Sequence, residues 1–197
     1  MDSVNATAYL DGEIAEHLAV AARTQEALAT EFPRLVAACT HALRAGHKLL
    51  LFGNGGAAAA AQHIATELVV RYNRESGNRR PMPAIALTTD TSALTAIGND
   101  FGFDDLYARQ VQALGREGDV AIGISTSGNS ENVVRGLMVA RAAGAVTVGF
   151  AGEGGGRLAA IVDHRIFIPS ASTARVQEMH MVVGHALCAL LEKDAGQ

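Results

Sequence analysis

Four groups of residues in this chain have types and spacings suited to chemistry. Ser125-Thr126-Ser127-Gly128-Asn129-Ser130 places four hydroxyls where an apolar run, Val120 to Ile124, gives way to a helical pattern from Glu131. At such a junction hydroxyls, free backbone N–H groups and the positive end of a helix dipole converge on an oxyanion. One side chain suffices to cap a helix, so capping accounts for Ser130 alone. The cluster points to a phosphate monoester. A second apolar run, Leu49-Leu50-Leu51-Phe52, stops on Gly53-Asn54-Gly55-Gly56. Its three glycines permit positive φ and let backbone N–H groups approach an anion, again at the head of a helix. His63 and Glu67 stand at i and i+4 on that helix and so project from one face. The last helical stretch carries Gln177, Glu178, His180 and His185, with Gln177 and His185 about two turns apart. Imidazole, carboxylate and amide oxygen would make up a zinc-like donor set. Spacing alone leaves open whether His63 and Glu67 instead share a surface hydrogen bond, and leaves His180 as a competing ligand.

Gly53-x-Gly55-x-x-Ala58 also matches the dinucleotide fingerprint formally. That fingerprint requires an acid about 20 residues on, after the second strand, to bind a ribose. Here the nearest strand-end acid is Asp90, beyond an arginine-rich connector, so a nicotinamide or flavin role is disfavoured.

The elements that must position these groups alternate. From Asn5 to Phe32, Ala8, Ile14, Leu18, Ala22 and Leu28 recur at helical spacing and predict one long or two short helices. Their length exceeds what one small core requires, which favours an extension packed on a partner subunit over a monomeric lid. Pro33 opens a second helix that Gly46 ends. A buried strand at 49–52 and a helix over 57–72 come next, then a connector over 73–80 in whose vicinity Arg71, Arg74, Arg79 and Arg80 read as solvated. The pattern continues with a strand at 84–87, a short helix or turn at 91–97, a loop over Gly98-Asn99-Asp100-Phe101-Gly102 and a helix at 104–114. Beyond these lie strands at 120–124, 146–150 and 164–168, separated by a helix at 131–143, a flexible loop at 152–156 and a short helix at 157–161. An amphipathic helix from Thr173 to about Lys193 closes the chain. This alternation predicts a three-layer, doubly wound α/β fold with a five-stranded parallel sheet in flavodoxin-like order 2-1-3-4-5. The Gly53 and Ser125 loops then adjoin beyond the carboxyl ends of the strands. A single domain is expected over 1–197, with 1–46 forming the N-terminal helices and 47–197 the α/β core and closing helix.

Composition narrows the classes. A chain of 197 residues, 49% hydrophobic, supports one core without outside staples. Cys39 and Cys188 lie far apart with no CxxC spacing, which disfavours a disulfide framework or thiolate zinc and fits a reducing cytosol. A net charge of −4 with no basic block argues against a nucleic-acid partner. No apolar run approaches the roughly 20 residues of a membrane span, and no charged-then-apolar signal pattern opens the chain. A cytoplasmic protein without a membrane partner is the expectation.

At Gly53-Asn54-Gly55-Gly56, Gly98-Asn99-Asp100, Ser125 to Ser130 and Val176-Gln177-Glu178-x-His180 the sequence resembles bacterial phosphoheptose isomerases of the sugar-isomerase (SIS) fold. The resemblance covers nearly the whole chain and is weakest in the first thirty residues. It implies a homotetramer with active sites at subunit interfaces. The implied reaction interconverts sedoheptulose 7-phosphate and D-glycero-D-manno-heptose 7-phosphate, the start of activated-heptose supply for lipopolysaccharide and related surface polysaccharides. Carried over residue by residue, Asn54, Gly55, Gly56, Asn99, Asp100, Ser125, Thr126, Ser127 and Ser130 contact the sugar phosphate, with Glu67 and Gln177 also in reach of it. His63, Glu67, Gln177 and His185 would hold one zinc ion per subunit, and Glu67 with His185 would form the acid–base pair. Two positions depart from the family's pattern, which has serine at 57 and aspartate at 60, whereas this chain has Ala57 and Ala60. A missing hydroxyl at a phosphate costs on the order of 1 to 3 kcal/mol, so the departures predict a weaker hold on substrate. A rival reading is a non-catalytic scaffold on the same fold that binds the bacterial replication initiator and shares Ala174-Arg175-x-Gln177-Glu178-Met179-His180-Met181. Retention of Glu67 and His185 favours the isomerase.

Overall fold

The computed structural model describes residues 5–74 and 79–195. Strands β1 (Leu49–Gly53), β2 (Ala84–Ala86), β3 (Val120–Ile124), β4 (Val146–Ala151) and β5 (His164–Phe167) form one parallel sheet in the order β2-β1-β3-β4-β5. Alternate residues of β1 supply opposite layers. Leu49 and Leu51 pack with Ile64, Leu68 and Leu187 on one side, while Leu50 and Phe52 pack with Tyr107, Val111, Val133 and Leu137 on the other. Each such buried side chain contributes about 1.5 to 3 kcal/mol. Seven helices cover the described sheet: α1 (Ala6–Ala27), α2 (Glu31–Arg44), α3 (Gly56–Val69), α4 (Thr91–Asp100), α5 (Leu106–Leu114), α6 (Glu131–Ala142) and α7 (Thr173–Ala195).

Local chemistry sets the boundaries. Asn5 caps α1, its side chain accepting from the Ala8 N–H at 3.2 Å, and the extension is one long helix. Pro33 lies in the first turn of α2, where a missing N–H costs nothing. The buried positions of α7 recur at helical spacing from Val176 through Met179, Val183, Leu187 and Leu191, the stripe expected of an amphipathic helix. Among the described residues no helix is long and apolar enough to cross a membrane.

Four local expectations are corrected. Residues 98–100 are the last turn of α4 rather than a loop, because Asp90 caps the helix by accepting from the Ala93 N–H at 3.0 Å and nothing crowds Gly98. Helix α3 ends at Val69, short of 72, and Arg79 just beyond it is buried, not solvated. The loop at 152–156 is pinned, with Gly152 N–H donating to the Thr126 carbonyl at 2.9 Å and Glu153 N–H to the Ser170 carbonyl at 3.2 Å. The remainder of the expected connector, 75–78, lies outside the described residues.

Candidate functional site

The paired register of β1 and β3, ending at Gly53 beside Ile124, brings the two loops together where the strand order reverses. Gly53 has to be glycine, since a Cβ there would lie 2.5 Å from the Ile124 carbonyl and 2.8 Å from Ala57 Cβ. The Asn54 side chain is fixed by a reciprocal amide pair with buried Asn132, at 2.8 and 3.0 Å. The Tyr107 hydroxyl donates to the Gly53 carbonyl and stands 3.2 Å from Asn54 Oδ1. Burial pushes the Tyr107 phenol up to about 12, so it remains a donor. Gly55, at φ +57, takes the N-cap position of α3, and the Gln177 amide lies across Gly56, 2.6 Å from where a Cβ would stand. Asn132 and Tyr107 escaped the sequence reading. Their signal was a polar group on the buried side of a helix, which only the sheet packing distinguishes from an exposed one.

At the second loop the hydroxyls of Ser125 and Ser130 are 3.0 Å apart and those of Ser125 and Ser127 3.4 Å. Ser130 occupies the N-cap position of α6 yet makes no side-chain cap, which leaves its hydroxyl in the cluster. Gly128, at φ +66, passes so close to the glycine loop that a Cβ would sit 2.0 Å from the Gly155 carbonyl. Asn129 accepts from the Arg157 N–H at 3.0 Å and closes the same contact. Thr126 and Ser127 line a cavity of about 320 Å³ with Glu153, Ser170, Thr173 and Val176.

Parallel packing of α3 on α7 assembles the third group. His63 Nε2 and His185 Nε2 are 2.8 Å apart, and Glu67 Oε1 lies 3.4 Å from His63 Nε2. The Tyr72 ring stands 5.7 Å from that of His185. His63, Gln177, Glu178, Ala57 and Ala60 line a second cavity, of about 500 Å³, with Gly56 at its head. Glu67 and His185 stand outside that lining, linked to it through His63. Glu178 is held by Arg175 at 2.7 Å and by His17 Nδ1 at 2.8 Å, which ties the cavity wall to α1.

Not every candidate joins the site. Asn99 and Asp100 are exposed at the end of α4 and bond each other at 2.7 Å, and Asp100 faces a separate cavity with Asp90 and Arg109. His180 leaves the contest for a metal, because it is 1% exposed with Nε2 against the Ala151 carbonyl at 3.2 Å. Burial lowers its pKa to about 4 and keeps it neutral. Among the described residues no group of three or more His, Cys, Asp or Glu stands ready-made to hold a metal. The donor chemistry nonetheless suits zinc, since two imidazole nitrogens face each other beside a carboxylate. At 2.8 Å the two nitrogens share a proton, whereas tetrahedral Zn–N bonds would hold them roughly 3.3 Å apart. Gln177 lies toward the head of α3, about two turns of α7 from His185.

A SIS domain model matches residues 14–152. A phosphoheptose isomerase of Paramagnetospirillum magneticum is 54% identical over 184 residues, covering 93% of this chain and 94% of that protein. The chain belongs to the phosphoheptose isomerase family. The family member of Aquifex aeolicus is 59% identical over 152 residues, covering 77% of this chain and 78% of its own. The solved structure of a phosphoheptose isomerase from Francisella tularensis superposes with a TM-score of 0.91 at 32% identity, covering 96% of this chain and all of that one. The family's SIS fold is thus the five-stranded sheet described above.

Proposed function

We propose that the chain is a ketose–aldose isomerase that converts sedoheptulose 7-phosphate to D-glycero-D-manno-heptose 7-phosphate. The observation that carries this reading is the convergence of His63, Glu67 and His185 in a chain 54% identical to a phosphoheptose isomerase. The same identity favours the enzyme over the scaffold.

The reaction removes a proton from C1 of the ketose, delivers one to C2 and moves a proton between the two oxygens through an enediol. It needs a base for carbon, a carrier for oxygen and positive charge near the enediolate. In this reading the Glu67 carboxylate serves the carbon, and His185 serves the oxygens. Because its Nε2 shares a proton with His63, one ring of the pair can donate while the other accepts. The Ser125, Ser127 and Ser130 hydroxyls and the N–H groups opening α6 hold the phosphate. Asn54, kept in place by Asn132, and the N–H groups of Gly55 and Gly56 line the sugar. His63, Glu67, Gln177 and His185 are the residues that would hold zinc, whose charge, when bound, stabilises the enediolate oxygens. We also assign a cytoplasmic homotetramer, with the N-terminal helices at its interfaces, supplying activated heptose for lipopolysaccharide. The support is α1, whose outer face exposes Leu10, Ile14 and Leu18 by 58, 52 and 63%. Asn99 and Asp100 belong to the substrate site in this reading only if another subunit's loops approach α4.

An NMR or coupled assay of sedoheptulose 7-phosphate tests the assignment. Glu67→Gln should lower kcat on the order of 10²- to 10⁴-fold, the usual worth of a positioned base. Undiminished turnover in that variant would remove Glu67 from the mechanism.

A further inference from the structure

Arg79, in the basic stretch after α3, forms with Glu192 of α7 a pair of charges that the proposed chemistry leaves unused. Arg79 and Glu192 face each other with side chains 1% and 2% exposed, Nε donating to Oε2 at 2.6 Å. Each has further work. The guanidinium donates through Nη2 to the Glu67 carbonyl at 2.7 Å and through Nη1 to the Arg80 carbonyl at 3.0 Å. The carboxylate accepts from the backbone N–H of Tyr72 at 2.7 Å and of Asn73 at 2.8 Å. The Glu67 carbonyl lies in the last turn of α3, where carbonyls lack intrahelical donors, so Arg79 satisfies the carbonyl of the residue that bears the base. Tyr72, placed by Glu192, puts its ring 5.7 Å from His185.

A buried ion pair is seldom worth more to stability than apolar residues of the same volume. What the apolar pair cannot supply is a planar fork that binds a carbonyl and a carboxylate at once. We propose that Arg79 and Glu192 are positioning residues for the acid–base pair, holding the backbone under Glu67 and setting Tyr72 against His185. The proposal rests on the isomerase reading of those two residues.

Replacing the pair together, Arg79→Met with Glu192→Leu, leaves no unpaired buried charge and tests the role in the intact chain. Expected are loss of hydrogen-exchange protection at the Tyr72 and Asn73 amides and a kcat lower by on the order of 10- to 100-fold. KM should stay within about twofold, since the phosphate loop is untouched. Arg79→Lys keeps the charge opposite Glu192 but loses the fork, so protection at the two amides should persist while kcat falls. If the double variant does not fold, Arg79→Lys decides alone. Wild-type kcat in the folded variants, with the unsubstituted chain active, would overturn the positioning role and leave the isomerase reading standing. An unsubstituted chain that fails to turn over sedoheptulose 7-phosphate would overturn both.

Discussion

The imidazole of His180 packs 5.4 Å from the Phe150 ring, and burial holds its pKa near 4. The unfolded chain takes up this proton as pH falls below about 6.5, whereas the folded chain refuses it until about 4. Stability is therefore full above that window and is lost as pH drops through it. His180→Met should flatten the fall of the urea midpoint between pH 6.5 and 4.5, and an unchanged slope would place the acid sensitivity elsewhere. Ala57 and Ala60 belong to the same scale. Both are buried and both line the cavity that His63 and Gln177 share. Polar groups placed there would line the cavity assigned above to the substrate, so Ala57→Ser with Ala60→Asp should raise kcat/KM on sedoheptulose 7-phosphate. One recovered hydrogen bond of 1 to 3 kcal/mol corresponds to roughly 5- to 150-fold. Unchanged or lower kcat/KM would show that these positions do not matter.

Among the elements, those carried by strong periodicity were legible before the structure. Leu49 to Phe52 reads as a strand covered on both faces and is one, and the boundaries of β3 match the apolar run. The strand order expected for a flavodoxin-like sheet is the one observed, and it places the Gly53 and Ser125 loops side by side. His63 and Glu67 were legible because helical spacing is local. The buried Arg79 was not, since its partner Glu192 is 113 residues away and no local pattern distinguishes a buried guanidinium from a solvated one. Gly98 misled for the opposite reason, because the Asp90 cap outweighs a single helical glycine costing about 1 kcal/mol. The contact between the serine loop and the glycine loop yields a sharp expectation. Gly128→Ala adds a Cβ at positive φ, which costs about 1 to 2 kcal/mol, and drives it against the Gly155 carbonyl. Its thermal midpoint should drop and its KM should rise, and a normal KM would detach this loop from phosphate binding.

For the whole molecule, α1 is the element whose exposed apolar face the single chain leaves uncovered. Leu10, Ile14 and Leu18 repeat every fourth residue on the outer face, and only Val20 and Thr24 of that helix are buried. Leu10→Glu with Leu18→Glu should split the assembly into folded smaller species by sedimentation, while a monomeric unsubstituted chain would contradict the tetramer. The proposed chemistry has Glu67, with His185 and its partner His63, move protons at C1 and C2 of a ketose phosphate. Following sedoheptulose 7-phosphate by NMR in D2O tests it most directly. Aldose signals that grow with time and carry solvent deuterium at C2 are expected. Binding of the sugar phosphate with no aldose formed would contradict it.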